Sequence, residues 1–265
     1  MRTPQPSPPG LLVAHAVGGG LPPASAETLR LYANGVARVV VGNAWPFGAP
    51  QHEAGSYEHA LTRADLAVLE DAIVAADGFE TTSTPAGRWE LRLGDGRRAV
   101  WPATAAPPPG LAALVERLRG LSAETRRHPV GAVALSLDPP TAAVAGEPLE
   151  LGLRLHNPGS EAVGLEPGGA LRVRATAAGN GEVGGRPDLE ALVAAEPLAV
   201  AAASLPAGLA PGERRTVAAR TAIATPGRWR LDVLALLTAA LPYEGDALRL
   251  GCVLLAGPLV VEVSG

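Results

Sequence analysis

The chain has 265 residues, 47% of them apolar and only 3% aromatic, with a formal net charge of −4; this excludes disordered and collagen-like classes and demands a core of Leu, Val and Ala. All 22 basic side chains are Arg, and the absence of Lys excludes Schiff-base chemistry, a pyridoxal phosphate anchor and a phosphate-loop lysine. Arg and acids balance along the chain, 12 against 12 over residues 1–128 and 10 against 14 over 129–265, so no clustered positive charge is available and no nucleic-acid partner is expected.

Residues 1–10 are Pro-rich and are expected to be a disordered N-terminus. The run LLVAHAV at 11–17 reads as a short strand ending in Gly18-Gly19-Gly20. It could also serve as the apolar centre of a leader, since Arg2 precedes it and Ala24-Ser25-Ala26 resembles a cleavage site. His15 and the prolines at 4, 6, 8 and 9 weigh against that, so a cytoplasmic location is expected, with secretion after cleavage at Ala26 as the alternative. The run LRLYANGVARVVVG at 29–42 is a hairpin pattern, because Asn34-Gly35 supplies residues that tolerate positive φ. A third strand is expected around Tyr57 and Ala60. Leu66, Leu69, Ile73 and Ala76 then recur at helical spacing, with Thr62 or Asp65 as cap and Gly78 as stop. A second hairpin runs from Trp89 to Trp101 around Gly94-Asp95-Gly96, and Leu111, Leu114, Val115 and Leu118 line one face of a second helix.

Residues 11–121 therefore predict a small α+β domain, and the polar stretch 122–131 predicts a linker. Residues 132–265 change texture to short strands separated by Gly and Pro turns, the pattern of a β-sandwich. In LELGLRL, Leu149, Leu151, Leu153 and Leu155 fall on one face by period-2 alternation. Residues 187–197 are the one helix-like connection. The expected fold class is an α+β N-terminal domain, an antiparallel sheet with two helices, followed by an all-β immunoglobulin-like sandwich. No apolar run approaches the ~20 residues of a membrane-spanning helix, so no membrane span is expected.

Motifs that carry chemistry are sparse. Gly179 to Gly184 spell GxGxxG, but no βαβ alternation surrounds them, so a loop is the expected reading. His52, Glu53, Glu58 and His59 are a local set of potential metal ligands whose spacing fits neither HExxH nor a structural zinc pattern. The single cysteine, Cys252, excludes an intrachain disulfide and reads as a buried, inert thiol. There is no GxSxG nucleophile turn, and Gly55-Ser56-Tyr57 with His59 and Asp65 is too generic to indicate a hydrolase. No catalytic, metal-binding or cofactor-binding residue is assigned, and no cofactor is expected. Trp89, Trp101 and Trp229 read as packing residues. Trp45 and Phe47 lie in a Gly- and Pro-rich segment; loop aromatics serve as anchors at protein interfaces, and a loop folding back on its own domain explains them equally well.

The order Gly146-Glu147-Pro148, Asn157-Pro158-Gly159-Ser160, Leu209-Ala210-Pro211-Gly212-Glu213 and Pro226-Gly227-Arg228-Trp229 resembles the bacterial intracellular proteinase inhibitor family of immunoglobulin-like domains over most of residues 130–235. Gly18 to Leu21, the helix around Leu66-Leu69-Ile73, the hairpin at 89–101 and Pro109-Gly110-Leu111 resemble the emfourin family, inhibitors of thermolysin-like metalloproteases, over about 110 residues. Together these resemblances imply a non-enzymatic protein-binding module whose partner is a protein, with a protease as the candidate class. The alternative is a structural or assembly component using the sandwich as a spacer, or an enzyme subunit without a recognisable site. Gly18, Gly19, Gly20, Leu21, Trp45 and Phe47 are the candidate partner-binding residues: the glycines permit close backbone approach, and the aromatics can anchor.

Overall fold

The computed structural model describes residues 10–18, 25–42, 53–79, 88–102, 105–140, 142–167, 169–178, 205–244 and 246–265. The chain divides into two compact units, Met1–Ala49 with Gly55–Val130, and Pro50–Ala54 with Gly131–Gly265.

The first unit is built on antiparallel strands β1 (Leu11–Gly18), β2 (Ser25–Tyr32), β3 (Val36–Val41), β4 (Glu53–Ala60), β5 (Arg88–Leu93) and β6 (Arg98–Pro102), paired in the order β4-β3-β2-β1-β5-β6. The run weighed as a leader centre is thus β1, held between β2 and β5. The Asn34-Gly35 hairpin forms, but with a three-residue loop. The Gly35 N–H donates to the Tyr32 carbonyl at 2.9 Å, the Asn34 carboxamide oxygen accepts the Val36 N–H at 3.1 Å, and only Gly35 takes positive φ, at 80°. This is a turn closed by a left-handed glycine rather than a two-residue turn with both residues left-handed.

Two helices complete this unit, the second packing on β3 and the first packing on the second. Helix α1 (Arg63–Ala75) starts at Thr62, whose hydroxyl oxygen accepts the Asp65 N–H, and it stops before Gly78. Helix α2 (Ala112–Thr125) follows a 3-10 turn at Pro109–Leu111. Leu69, Leu114, Val115 and Leu118 are buried, as are Val13, Leu29, Leu31, Val39, Leu91 and Leu93 of the strands. Leu-rich stripes on helices and alternate residues on strands thus close one core, with aromatic burial confined mainly to Tyr57 and Trp101.

In the second unit, β7 (Pro129–Asp138), β8 (Pro148–His156) and β12 (Arg214–Ala222) pair antiparallel in the order β12-β8-β7. A second sheet joins β9 (Val163–Leu165), β10 (Ala170–Ala177), β11 (Gly208–Leu209), β13 (Gly227–Tyr243) and β14 (Asp246–Val263). Both sheets contribute to one core, in which Leu149, Leu151, Leu153 and Leu155 meet Val233, Ala235, Leu254 and Ala256. The motifs around Asn157 and Gly212 serve this assembly. Asn157 is fully buried; its carboxamide oxygen accepts the N–H groups of Ala132 and Gly159, and its amide donates to the carbonyls of Glu161, Leu209 and Ala210. One side chain thereby satisfies backbone groups of several connections.

The expected class is corrected by these elements. Strands make up 58% of the described residues and helix about 15%, so the protein is mostly β, with large antiparallel sheets, and is not an α+β domain joined to a separate immunoglobulin-like sandwich. The two short helices stood out in the sequence because their apolar period is regular. The runs GRWRLDVLAL at 227–236 and ALRLGCVLLAGPLVVEV at 247–263 read as sandwich strands, and in the structure they belong to the longest ones: β13 runs 17 residues, on past 236 through an Ala- and Pro-containing stretch, and β14 runs 18. Residues 122–131, expected as a linker, hold the last turn of α2 up to Thr125 and the start of β7 at Pro129. Residues 1–9, the GxGxxG run at 179–184 and the helix-like stretch 187–197 lie outside the described residues.

Candidate binding surfaces of the first unit

Antiparallel pairing brings a set of strand ends into register at one end of the first unit's sheet. Gly18, the last residue of β1, pairs with Ser25 at the start of β2 and with Arg88 at the start of β5. Arg88 pairs with Pro102 at the end of β6. Val41 at the end of β3 pairs with Glu27 and with Gly55. The segments 19–24, 43–52 and 80–87 therefore all connect to strands at this end. Gly18 is described; Gly19, Gly20, Leu21, Trp45 and Phe47 lie outside the described residues.

Behind this row sits an aromatic stack. The His15 ring lies 5.0 Å from Trp89 and nearly parallel to it, and 6.3 Å from Trp101; the Arg119 guanidinium lies 5.1 Å over the Trp89 ring. Trp89 and Trp101 are direct cross-strand partners, the packing role expected of them. His15 is 5% and Trp101 3% exposed, and neither His15 Nε2 nor Trp101 Nε1 has a hydrogen-bond partner. Burial, reinforced by the Arg119 charge, lowers the His15 pKa to about 4, so the ring is neutral at pH 7. Ser122 donates to one Glu27 carboxylate oxygen, and Arg126 lies 3.5 Å from the other.

A cavity of about 400 Å³ opens elsewhere in the same unit, beside α1 and α2. Leu61, Val68, Leu69 and Leu121 form its apolar wall, and His59, Asp65, Arg117 and Glu124 its polar lining, with Gly120 between them. The His59 ring stacks on His128 with centroids 4.6 Å apart. Sequence reasoning missed this pair, because 69 positions separate the two histidines and only the hydrogen bond from the Glu58 N–H to the His128 carbonyl and its neighbours bring them together.

Among the described residues the potential metal ligands do not assemble. Glu58 pairs with Arg38 at 2.7 Å, while His59, the next residue on the strand, projects to the opposite face. His52 lies outside the described residues, and among the described residues no group of three metal-ligating side chains forms. Cys252 is buried and free, and burial raises its pKa to about 12. Among the described residues no helix is long and apolar enough to cross a membrane.

No family model matches the chain, and no curated protein matches it. The resemblances to emfourin and to the proteinase inhibitor family gain no support from these comparisons. Solved structures similar to it include the CARDB domain of the PF1109 protein from Pyrococcus furiosus in complex with di-metal ions. That domain is 14% identical, the match covers 51% of this chain and 89% of that one, and the TM-score is 0.27. The solution structure of the same domain is 13% identical, with 50% and 94% covered and a TM-score of 0.26. Red sea bream transglutaminase is 12% identical, with 96% of this chain but 27% of that one covered and a TM-score of 0.29. The CARDB domain has an immunoglobulin-like fold. At these TM-scores the likenesses carry no argument about activity, and the all-β character of the second unit rests on its own strands.

Proposed function

We propose that this chain is a non-enzymatic protein-binding module, and that the surface it offers is the end of the first unit's sheet where segments 19–24 and 43–52 connect. The observation that supports this reading is the register of Gly18, Ser25, Val41 and Gly55. With strands about 4.8 Å apart, β1 to β4 span roughly 15 Å, so both nominated segments connect within the width of one standard interface of ~800 Å² per partner. A glycine run allows close backbone approach, and Trp45 with Phe47 provides large apolar anchors.

The proposed partner class is a protease, since an inhibitor works by presenting segments that fill a cleft without being cut. Titrating a thermolysin-like metalloprotease and a subtilisin-like serine protease with the full chain, and reading residual activity, tests it. Stoichiometric loss of activity of at least one enzyme, with the chain left intact, is expected. No inhibition at micromolar concentration, or rapid degradation of the chain, would overturn the protease reading.

A further inference from the structure

We propose that the cavity beside α1 and α2 is a binding site for a small apolar monocarboxylate, separate from the surface argued above and independent of that reading. Gly120 sits inside α2 and lines this cavity. Glycine inside a helix costs roughly 0.5–1 kcal/mol relative to alanine, and such a glycine is usually explained by a neighbour that would collide with a Cβ. Among the described residues nothing lies within 4 Å of where a Gly120 Cβ would be. No close neighbour among them accounts for this exposed glycine, which lines the cavity. Val68, 46% exposed, faces the same space with Leu61 and Leu121. A volume of about 400 Å³ is within the usual range for small-molecule sites.

The charges select the ligand. Asp65 accepts a hydrogen bond from the Thr62 hydroxyl at 2.6 Å and sits in the first turn of α1, where the helix dipole favours a negative group. Glu124 pairs with Arg127 at 2.8 Å. Both lining acids are thus already compensated. Arg117 has no ion pair among the described residues, and α2 offers it none: the positions three and four away are Ala113, Leu114, Gly120 and Leu121. Arg117 is exposed, and a solvated guanidinium without an ion pair beside an apolar wall is matched by a carboxylate on an apolar body, which Arg can grip through two parallel hydrogen bonds. Asp65 and Glu124 limit the ligand to a single negative charge, because a second carboxylate would face them.

The test is calorimetric titration of the full chain with 4-phenylbutyrate, 4-phenylbutylamine and phenylalanine, repeated with Arg117→Gln, Arg117→Lys and Gly120→Leu. Circular dichroism confirms folding; Gly120→Leu adds a better helix former where space is open, and so is expected to fold. Phenylbutyrate should bind at one site and the amine should not, with phenylalanine weaker than phenylbutyrate. Arg117→Gln should weaken phenylbutyrate at least tenfold, Arg117→Lys should restore part of the loss, and Gly120→Leu should abolish binding. Equal or stronger binding of the amine or of phenylalanine, binding that survives Gly120→Leu, or no binding of phenylbutyrate at millimolar concentration would each overturn the proposal.

Discussion

The guanidinium of Arg97, in the turn between β5 and β6, donates to the carbonyl oxygen of Ala76 at 2.9 Å and so caps the C-terminal end of α1. It also reaches the Ile73 carbonyl at 3.4 Å. The last turn of α1 contains no basic residue of its own, so a hairpin 21 positions away supplies both the donors and the positive charge that the helix end lacks. Asp95 holds the arginine in place through its side chain, with Nε to Oδ2 at 2.8 Å. Replacing Arg97 with Ala is expected to cost about 1 kcal/mol, read as a shift of the urea midpoint at constant m-value. Asp95→Ala should cost less, since it leaves the cap in place. No shift in the Arg97 variant would show that water replaces the cap without loss.

His15 makes stability depend on pH. Its pKa is lowered in the folded state to about 4 from 6.5, so the unfolded chain takes up a proton in a range where the folded one does not. The stability held above pH 6.5 is therefore lost as pH falls toward 4, by about 2 kcal/mol at pH 5. A His15→Phe variant keeps the aromatic stack without the titrating group. Denaturation of both proteins at pH 7.5, 6 and 5 should give curves that diverge on acidification, with the wild type falling more steeply. Parallel curves would mean that the ring is solvated and titrates normally.

Asn157 joins five backbone groups in the second unit. Substitution by Ala leaves buried N–H and carbonyl groups without partners, at about 1–3 kcal/mol for each that water cannot reach. A total loss of about 2–4 kcal/mol is expected, measured by thermal or chemical unfolding. A change under about 0.5 kcal/mol would show that the surrounding loops rearrange around the gap.

What the sequence disclosed, and what it hid, follows the range of the interactions. The Leu149 to Leu155 alternation and the start of α1 depend on residues two to three positions apart and are legible, the sequence leaving Thr62 or Asp65 as the cap and the structure placing it at Thr62. The Asn34-Gly35 hairpin was legible as a turn, while its loop length depended on which hydrogen bond closed it. The Arg97 cap on α1 and the His59–His128 stack join residues far apart in the chain, and no local pattern marks them. The mostly β character is masked in the sequence for a related reason: a regular helical period over 13 or 14 residues is conspicuous, whereas β13 is sustained through Ala239, Ala240 and Pro242 by its pairing with β14. The cavity was invisible because its wall combines β4, α1 and α2 residues, each of which reads separately as surface or core.

The central claim, that the strand-end row of the first unit binds a protein partner, is tested most directly by comparing inhibition constants of Trp45→Ala and Val74→Ala against the protease found by titration. Val74 is an 80% exposed residue of α1 and serves as a surface control. Loss of an anchoring tryptophan is expected to weaken binding by about 2 kcal/mol or more, roughly 30-fold, with the unfolding midpoint unchanged and Val74→Ala indistinguishable from the wild type. Equal inhibition by all three proteins would contradict the claim.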